Sequence, residues 1–114
     1  SLGGSIDGVK LVSPATVERM GRTQSLLESD ALGGILAPFS LGFMKAPEAT
    51  GLPESMFGHS GAGGSIGVTD PRERLALAYV MNQMSETDRW KPLAHATYRS
   101  LGYRQGQYGI MMRP

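Results

Sequence analysis

Residues 56–84 read MFGHSGAGGSIGVTDPRERLALAYVMNQM, and no other stretch constrains the fold as strongly. Three strand-like pieces, Met56 to Gly61, Gly64 to Thr69 and Leu75 to Asn82, follow one another with only a few residues between them. Asp70-Pro71-Arg72-Glu73 joins the second to the third and has the composition of a hairpin turn. Connections this short reverse a strand but cannot carry a parallel crossover, so the expectation is an antiparallel meander. Its glycines put backbone freedom beside a histidine and a serine, which raises the question of what that freedom serves.

Before the meander, residues 1–12 read as an irregular lead-in with turn chemistry at Gly3-Gly4 and Asp7-Gly8. SPATVERMGR then offers Ser13 as N-cap, Pro14 at the first helical position and Val17 with Met20 on one face, a short helix stopped by Gly21. From Thr23 to Ala37 the pattern is mixed and glycine-broken, after which FSLGFMK alternates as a half-buried strand does. Pro47, Gly51 and Pro53 mark a surface loop. After the meander, SETDRWKPLAHATYRSL has Ser85 and Asp88 in capping-box spacing. Trp90, Leu93, Ala94, Thr97 and Leu101 share one helical face, with Pro92 in the first turns. GYRQGQYGIMMRP has no periodicity and reads as a tail, or an arm that needs a partner surface. The fold class expected is α+β, an antiparallel sheet of about three strands flanked by helices, with residues 1–102 as the ordered part and 103–114 as the tail.

Composition narrows the function classes. With 40% hydrophobic and 18% charged residues among 114, the chain is globular in type, and its 16 glycines follow no fibrous period. Eleven basic against ten acidic residues, with no basic stripe interleaved with aromatics, argue against nucleic acid as a partner. The longest clean apolar run, Leu75 to Met81, has strand length and falls far short of the ~20 residues a membrane-spanning helix needs. The lack of cysteine excludes a disulfide scaffold and any cysteine-based metal site or nucleophile, and leaves the compartment open. A start at Ser1, without methionine or leader, leads to the expectation that the beginning of the natural protein is missing.

Taken alone, His59-Ser60-Gly61 is a weak signal. A strand histidine is more often structural than catalytic, and a strand glycine often marks a bulge or a close approach. His95 has no His, Asp or Glu four residues away and forms no zinc pair, so it reads as surface or packing. GAGGSIG lacks a following Lys-Ser/Thr and precedes a strand, which argues against a phosphate loop. The methionines, among them Met81, Met84, Met111 and Met112, read as gap-filling core.

The longer stretch FGHSGAGGSIGVTDPRERLALAYVMNQM resembles the C-terminal signature of the serine β-lactamase-like hydrolases: class C β-lactamases, penicillin-binding proteins and related esterases and peptidases. GGSIDGVKLVSPATVERM, FSLGFM and the final amphipathic helix occur in the same order in that family, so the resemblance runs from Ser1 to about Gly102. It implies a fragment of the β-lactamase/transpeptidase-like fold. Where the family's third motif has Lys-Thr-Gly, this chain has His59, Ser60 and Gly61, a variant found among esterase-like and peptidase-like members. By that resemblance His59 is the catalytic candidate, a donor near the nucleophile whose charge depends on pH near neutrality. Ser60 would bind a substrate carboxylate or carbonyl. Gly61 would give the substrate room, and the Ala62 N–H would form half of an oxyanion hole. Asn82 matches a substrate-contacting asparagine, and reads equally as a strand-end cap.

The family's nucleophile lies in Ser-x-x-Lys, and a Tyr-x-Asn or Ser-x-Asn motif supplies a second base or donor. Here no Ser has a Lys three residues later, and no Tyr is followed by Asn at the second position. The resemblance therefore implies an active-site wall from a hydrolase of esters or amides, with the nucleophile in a segment outside this chain and the isolated chain inactive. It implies a small ester, peptide or β-lactam substrate, the missing N-terminal segment as partner, and no cofactor or metal. Esterase or peptidase action is favoured over efficient β-lactam hydrolysis. The competing reading is a non-catalytic binding or assembly module, and exposed sheet edges would make the isolated piece self-associate. A further reading, Ser60 or Ser65 as nucleophile with His59 as base, is disfavoured because adjacent strand residues point to opposite faces.

Overall fold

Asp7 and Gly8 both take positive φ, 48° and 79°, the backbone that a two-residue hairpin turn of type I′ requires. In this computed structural model, which describes residues 3–29, 35–45, 50–106 and 109–114, that turn joins β1 (Ser5–Ile6) to β2 (Val9–Lys10). The lead-in is thus a small hairpin where irregular chain was expected. Helix α1 (Pro14–Gly21) follows, with the Ser13 hydroxyl accepting from the Thr16 N–H at 3.1 Å and proline in the first turn, as the spacing predicts. At its other end the Lys45 ammonium donates to the Gly21 carbonyl at 2.6 Å, occupying a carbonyl that the helix leaves unpaired.

The next pair is β3 (Ser25–Ser29) with β4 (Ile35–Phe39), antiparallel and in register from Ser25↔Phe39 to Ser29↔Ile35. Sequence reading places a strand over FSLGFMK; the structure corrects this, because β4 ends at Phe39 and the chain reverses through Gly42 at φ 78°. The Phe43 carbonyl accepts the Ser40 N–H at 2.8 Å and closes that reversal. Among the described residues here, only Met44 returns to the sheet, bridging Phe39 on one side and Gly58 on the other. Of the expected surface loop at Pro47, Gly51 and Pro53, Pro47 lies outside the described residues, and Pro53 is buried.

β5 (Phe57–Ser60), β6 (Ile66–Asp70) and β7 (Leu75–Tyr79) form the expected antiparallel meander in the order β5-β6-β7. Because side chains alternate, Ile66, Val68, Leu75, Leu77 and Tyr79 share one face of this sheet, and they pack into or against the core. His59, Gly67 and Ala78 stand in a row on the other face. Gly58 is enforced by close approach: a Cβ there would lie 2.2 Å from the Gly67 carbonyl oxygen.

α2 (Trp90–Ser100) crosses the core face and buries Trp90, Ala94 and Tyr98, one residue per turn. Sequence reading starts this helix at a Ser85/Asp88 capping box and points Leu93 inward. Instead Ser85 closes a local turn by accepting the Thr87 N–H at 3.1 Å, and Leu93 is exposed. Proline explains the later start, since Pro92 has no N–H and is tolerated only within the first turn. The segment after Gly102 is also corrected. Tyr103 and Met111 are buried, and β8 (Arg104–Gln105) pairs with β9 (Met111–Met112), so the supposed tail closes the core with its own apolar side chains. Met111 and Met56 fill the core as expected of methionine, whereas Met84 and Met112 are exposed.

Beneath the helix, the Asp70 carboxylate is almost wholly buried and accepts from the Tyr98 hydroxyl at 2.9 Å, the Ser55 hydroxyl at 3.0 Å and the Arg72 N–H at 3.0 Å. A buried carboxylate is tolerable only with such donors. Tyr103 repeats the device at the edge, donating to Glu73 at 2.7 Å while its ring meets Tyr98 edge-on at 5.1 Å.

Candidate active-site wall

Gly58 exchanges two backbone hydrogen bonds with Met44, N–H to carbonyl at 3.2 Å and carbonyl from N–H at 2.7 Å. Alternation in an antiparallel ladder then turns the backbone of Ser60 toward the same outer edge and that of His59 toward β6. Continued pairing beyond Met44 would set Gly42 opposite Ser60, but the chain has already reversed there. Beyond Gly58 the outer edge of β5 therefore has no ladder partner among the described residues.

His59 is exposed, and its Nδ1 lies 2.6 Å from the Ser60 carbonyl oxygen. A carbonyl only accepts, so Nδ1 carries the proton and Nε2 is the basic nitrogen of the neutral ring. The ring also sits 6.0 Å from that of Phe39, tilted by 46°. Among the described residues, these two contacts hold the imidazole without using its second nitrogen.

Ser60, Gly61 and Ala62 continue the exposed edge. The Gly61 N–H donates to the Ser65 carbonyl at 2.8 Å, and the turn closes with the Gly64 N–H on the Gly61 carbonyl at 3.2 Å. Gly63 and Gly64 take φ of 88° and 106°, which side chains rarely adopt. A Cβ on Gly63 would meet Met84 at 2.8 Å, and the Ser85 N–H donates to the Gly63 carbonyl at 3.0 Å. The glycines thus fold the turn flat against the chain after β7 and hold the strand end carrying His59 and Ser60 in place.

Four of the five site residues inferred from sequence, His59 to Ala62, are consecutive along this open edge. Asn82 is placed differently from the expectation: β7 ends at Tyr79, and Asn82 lies exposed in a bend three residues on. The Ser85–Gly63 bond brings its segment to the same end of the sheet, but no hydrogen bond joins Asn82 to residues 59–62 among the described residues. His95 packs as expected of a structural histidine, with Nε2 3.2 Å from the Thr50 carbonyl oxygen. Sequence reading put Met44 in a strand over FSLGFMK but not beside the site, where its bridge to Gly58 ends as the open edge begins; which strand it pairs with leaves no signal in the local pattern.

The family model for β-lactamase matches residues 4–100. The chain belongs to the β-lactamase family. It is also 38% identical over 84 residues to the esterase/β-lactamase LipL of Mycobacterium tuberculosis (strain ATCC 25618 / H37Rv), a match covering 72% of this chain. The chain spans only 19% of that relative's length. Membership makes it part of a serine hydrolase-like family. Among the described residues, no helix is long and apolar enough to cross a membrane.

Proposed function

We propose that this chain forms one wall of the active site of a serine hydrolase that cleaves an ester or amide through an acyl-enzyme. The nucleophilic Ser-x-x-Lys comes from polypeptide outside these 114 residues. The observation that carries the reading is the open edge that starts at Ser60 and runs on through Gly61 and Ala62, beside an imidazole whose Nε2 has no hydrogen-bond partner among the described residues.

In this reading the serine Oγ adds to the substrate carbonyl carbon while its proton passes to the external base. The carbonyl π electrons move onto oxygen, and the Ala62 N–H donates to that oxyanion. Collapse expels the alcohol or amine, which takes up the proton, and water repeats the sequence to release the acid. His59 stands at the proton-transfer end, where its Nε2 can accept or, when charged, donate. The Ser60 hydroxyl holds a substrate carbonyl or carboxylate, Gly61 leaves space beside it, and Asn82 contacts the remainder.

The test uses the full natural polypeptide containing these residues, treated with a fluorophosphonate probe and assayed with p-nitrophenyl butyrate and a chromogenic β-lactam. The expected result is a single adduct on a serine outside residues 1–114 and ester turnover lowered about 100-fold by His59→Ala, a loss in the range of general acid–base contributions. The isolated chain takes up no probe. A full-length protein that is folded but unreactive overturns the reading and leaves a non-catalytic binding module.

A further inference from the structure

At the far end of β5 from Ser60, roughly 10 Å along the strand at about 3.3 Å per residue, a second feature has no part in the proposed chemistry. A cleft of about 800 Å³ opens between α1 and the turn Pro71–Arg74. Four cations line it, Arg22, Lys45, Arg72 and Arg74, against one carboxylate, Glu18. Glu18 is already paired with Arg22. The buried carboxylates beside the turn are committed elsewhere, Asp70 to Ser55, Tyr98 and the Arg72 backbone, and Glu73 to Tyr103 and Arg113. Among the described residues no carboxylate forms an ion pair with Lys45, Arg72 or Arg74.

Two details separate this cluster from an ordinary solvated surface. Lys45 is only 9% exposed, and the one polar partner of its ammonium among the described residues is the Gly21 carbonyl. Arg74 sits at φ 53°, a conformation that glycine or asparagine adopts more cheaply, so the turn carries a guanidinium at a backbone cost. A second cleft of about 570 Å³ shares Lys45 and Arg72. The same two residues therefore line both openings.

We propose that the cleft between α1 and the β6–β7 turn binds an organic carboxylate, with Lys45, Arg72 and Arg74 holding the carboxylate and Pro14, Val17 and Pro71 covering its apolar body. Planar guanidinium groups match carboxylate geometry, and the apolar wall selects for a carbon skeleton over a bare inorganic anion. The site is independent of hydrolysis at the His59 wall.

The test is photolabelling of the full natural polypeptide with 4-benzoylbenzoate, followed by peptide mass mapping. Label is expected within residues 14–22 or 70–76, at least tenfold above that from the neutral 4-benzoylbenzamide on the same protein. The variant R72Q/R74G removes two charges while relaxing the turn at position 74, and should label at least tenfold less. Equal labelling by acid and amide overturns the proposal, whatever the variant does. So does label confined to other peptides, labelling unchanged in a folded variant, or competition by inorganic phosphate as effective as by octanoate.

Discussion

Gly58 lies within β5 and Gly61 just past its end, and the structure asks different things of them. A Cβ on Gly61 would meet the hydroxyl of Ser65, a side chain that can rotate; a Cβ on Gly58 would meet backbone, at 2.2 Å from the Gly67 oxygen and 2.6 Å from the Val68 Cα. Gly58→Ala should therefore destabilise the fold by about 3 kcal/mol or more, read as a lower urea midpoint. Gly61→Ala should cost much less. A second residue-scale prediction concerns alkali. Burial, then the Asp70 carboxylate beside it, holds the Tyr98 hydroxyl well above the usual tyrosine range, and burial with the Glu73 hydrogen bond pushes Tyr103 up to about 12. Folded protein keeps these protons where the unfolded chain has lost them, so stability from this source is intact below about pH 10 and falls as pH rises toward 12. Urea midpoints at pH 9 and 11 should show that fall, shallower in Tyr98→Phe; equal slopes would discount the Tyr98 contribution. None of this was visible in sequence. FGHSG does not say which glycine is crowded, and the Tyr98–Asp70 bond joins residues 28 apart.

At the level of elements, what was legible was local. Ser13 with Pro14 named the start of α1, and the cap is there; Ser13→Ala should cost about 1 kcal/mol, measured by chemical denaturation, with the loss confined to α1 if its amides alone exchange faster. The meander was legible because turn residues and alternation agreed. The hairpin β3–β4 was missed because glycines interrupt its hydrophobic pattern and its pairing is set by the partner strand, not by either strand alone. Ser85 shows the opposite error: its spacing to Asp88 was a genuine local signal, overruled by Pro92 a turn later. The open edge at Ser60 belongs in this class too, since it depends on where Gly42 turns the chain away.

For the molecule as a whole, the outer edge of β7 has no strand beside it among the described residues, and Leu75–Tyr79 carries no charge to discourage pairing. The isolated chain should self-associate, with light scattering giving a mass that rises above 12.2 kDa as concentration increases. A constant monomer mass would instead indicate an independently stable small domain. Family membership was legible from sequence because the residues of the meander and its flanking helices recur in order; the placement of the cationic cleft was not, since Lys45 and Arg72 meet only through the fold. Met44 gives the molecule one further property. Among the described residues, the β3–β4 hairpin and the β5–β6–β7 meander, each stitched along its length, are joined side by side by the bridge from Met44 to Gly58, so a pull across the sheet concentrates on that one rung. The fold is built like a perforated sheet of paper, strong within each panel and made to tear along the line that ends at the proposed site.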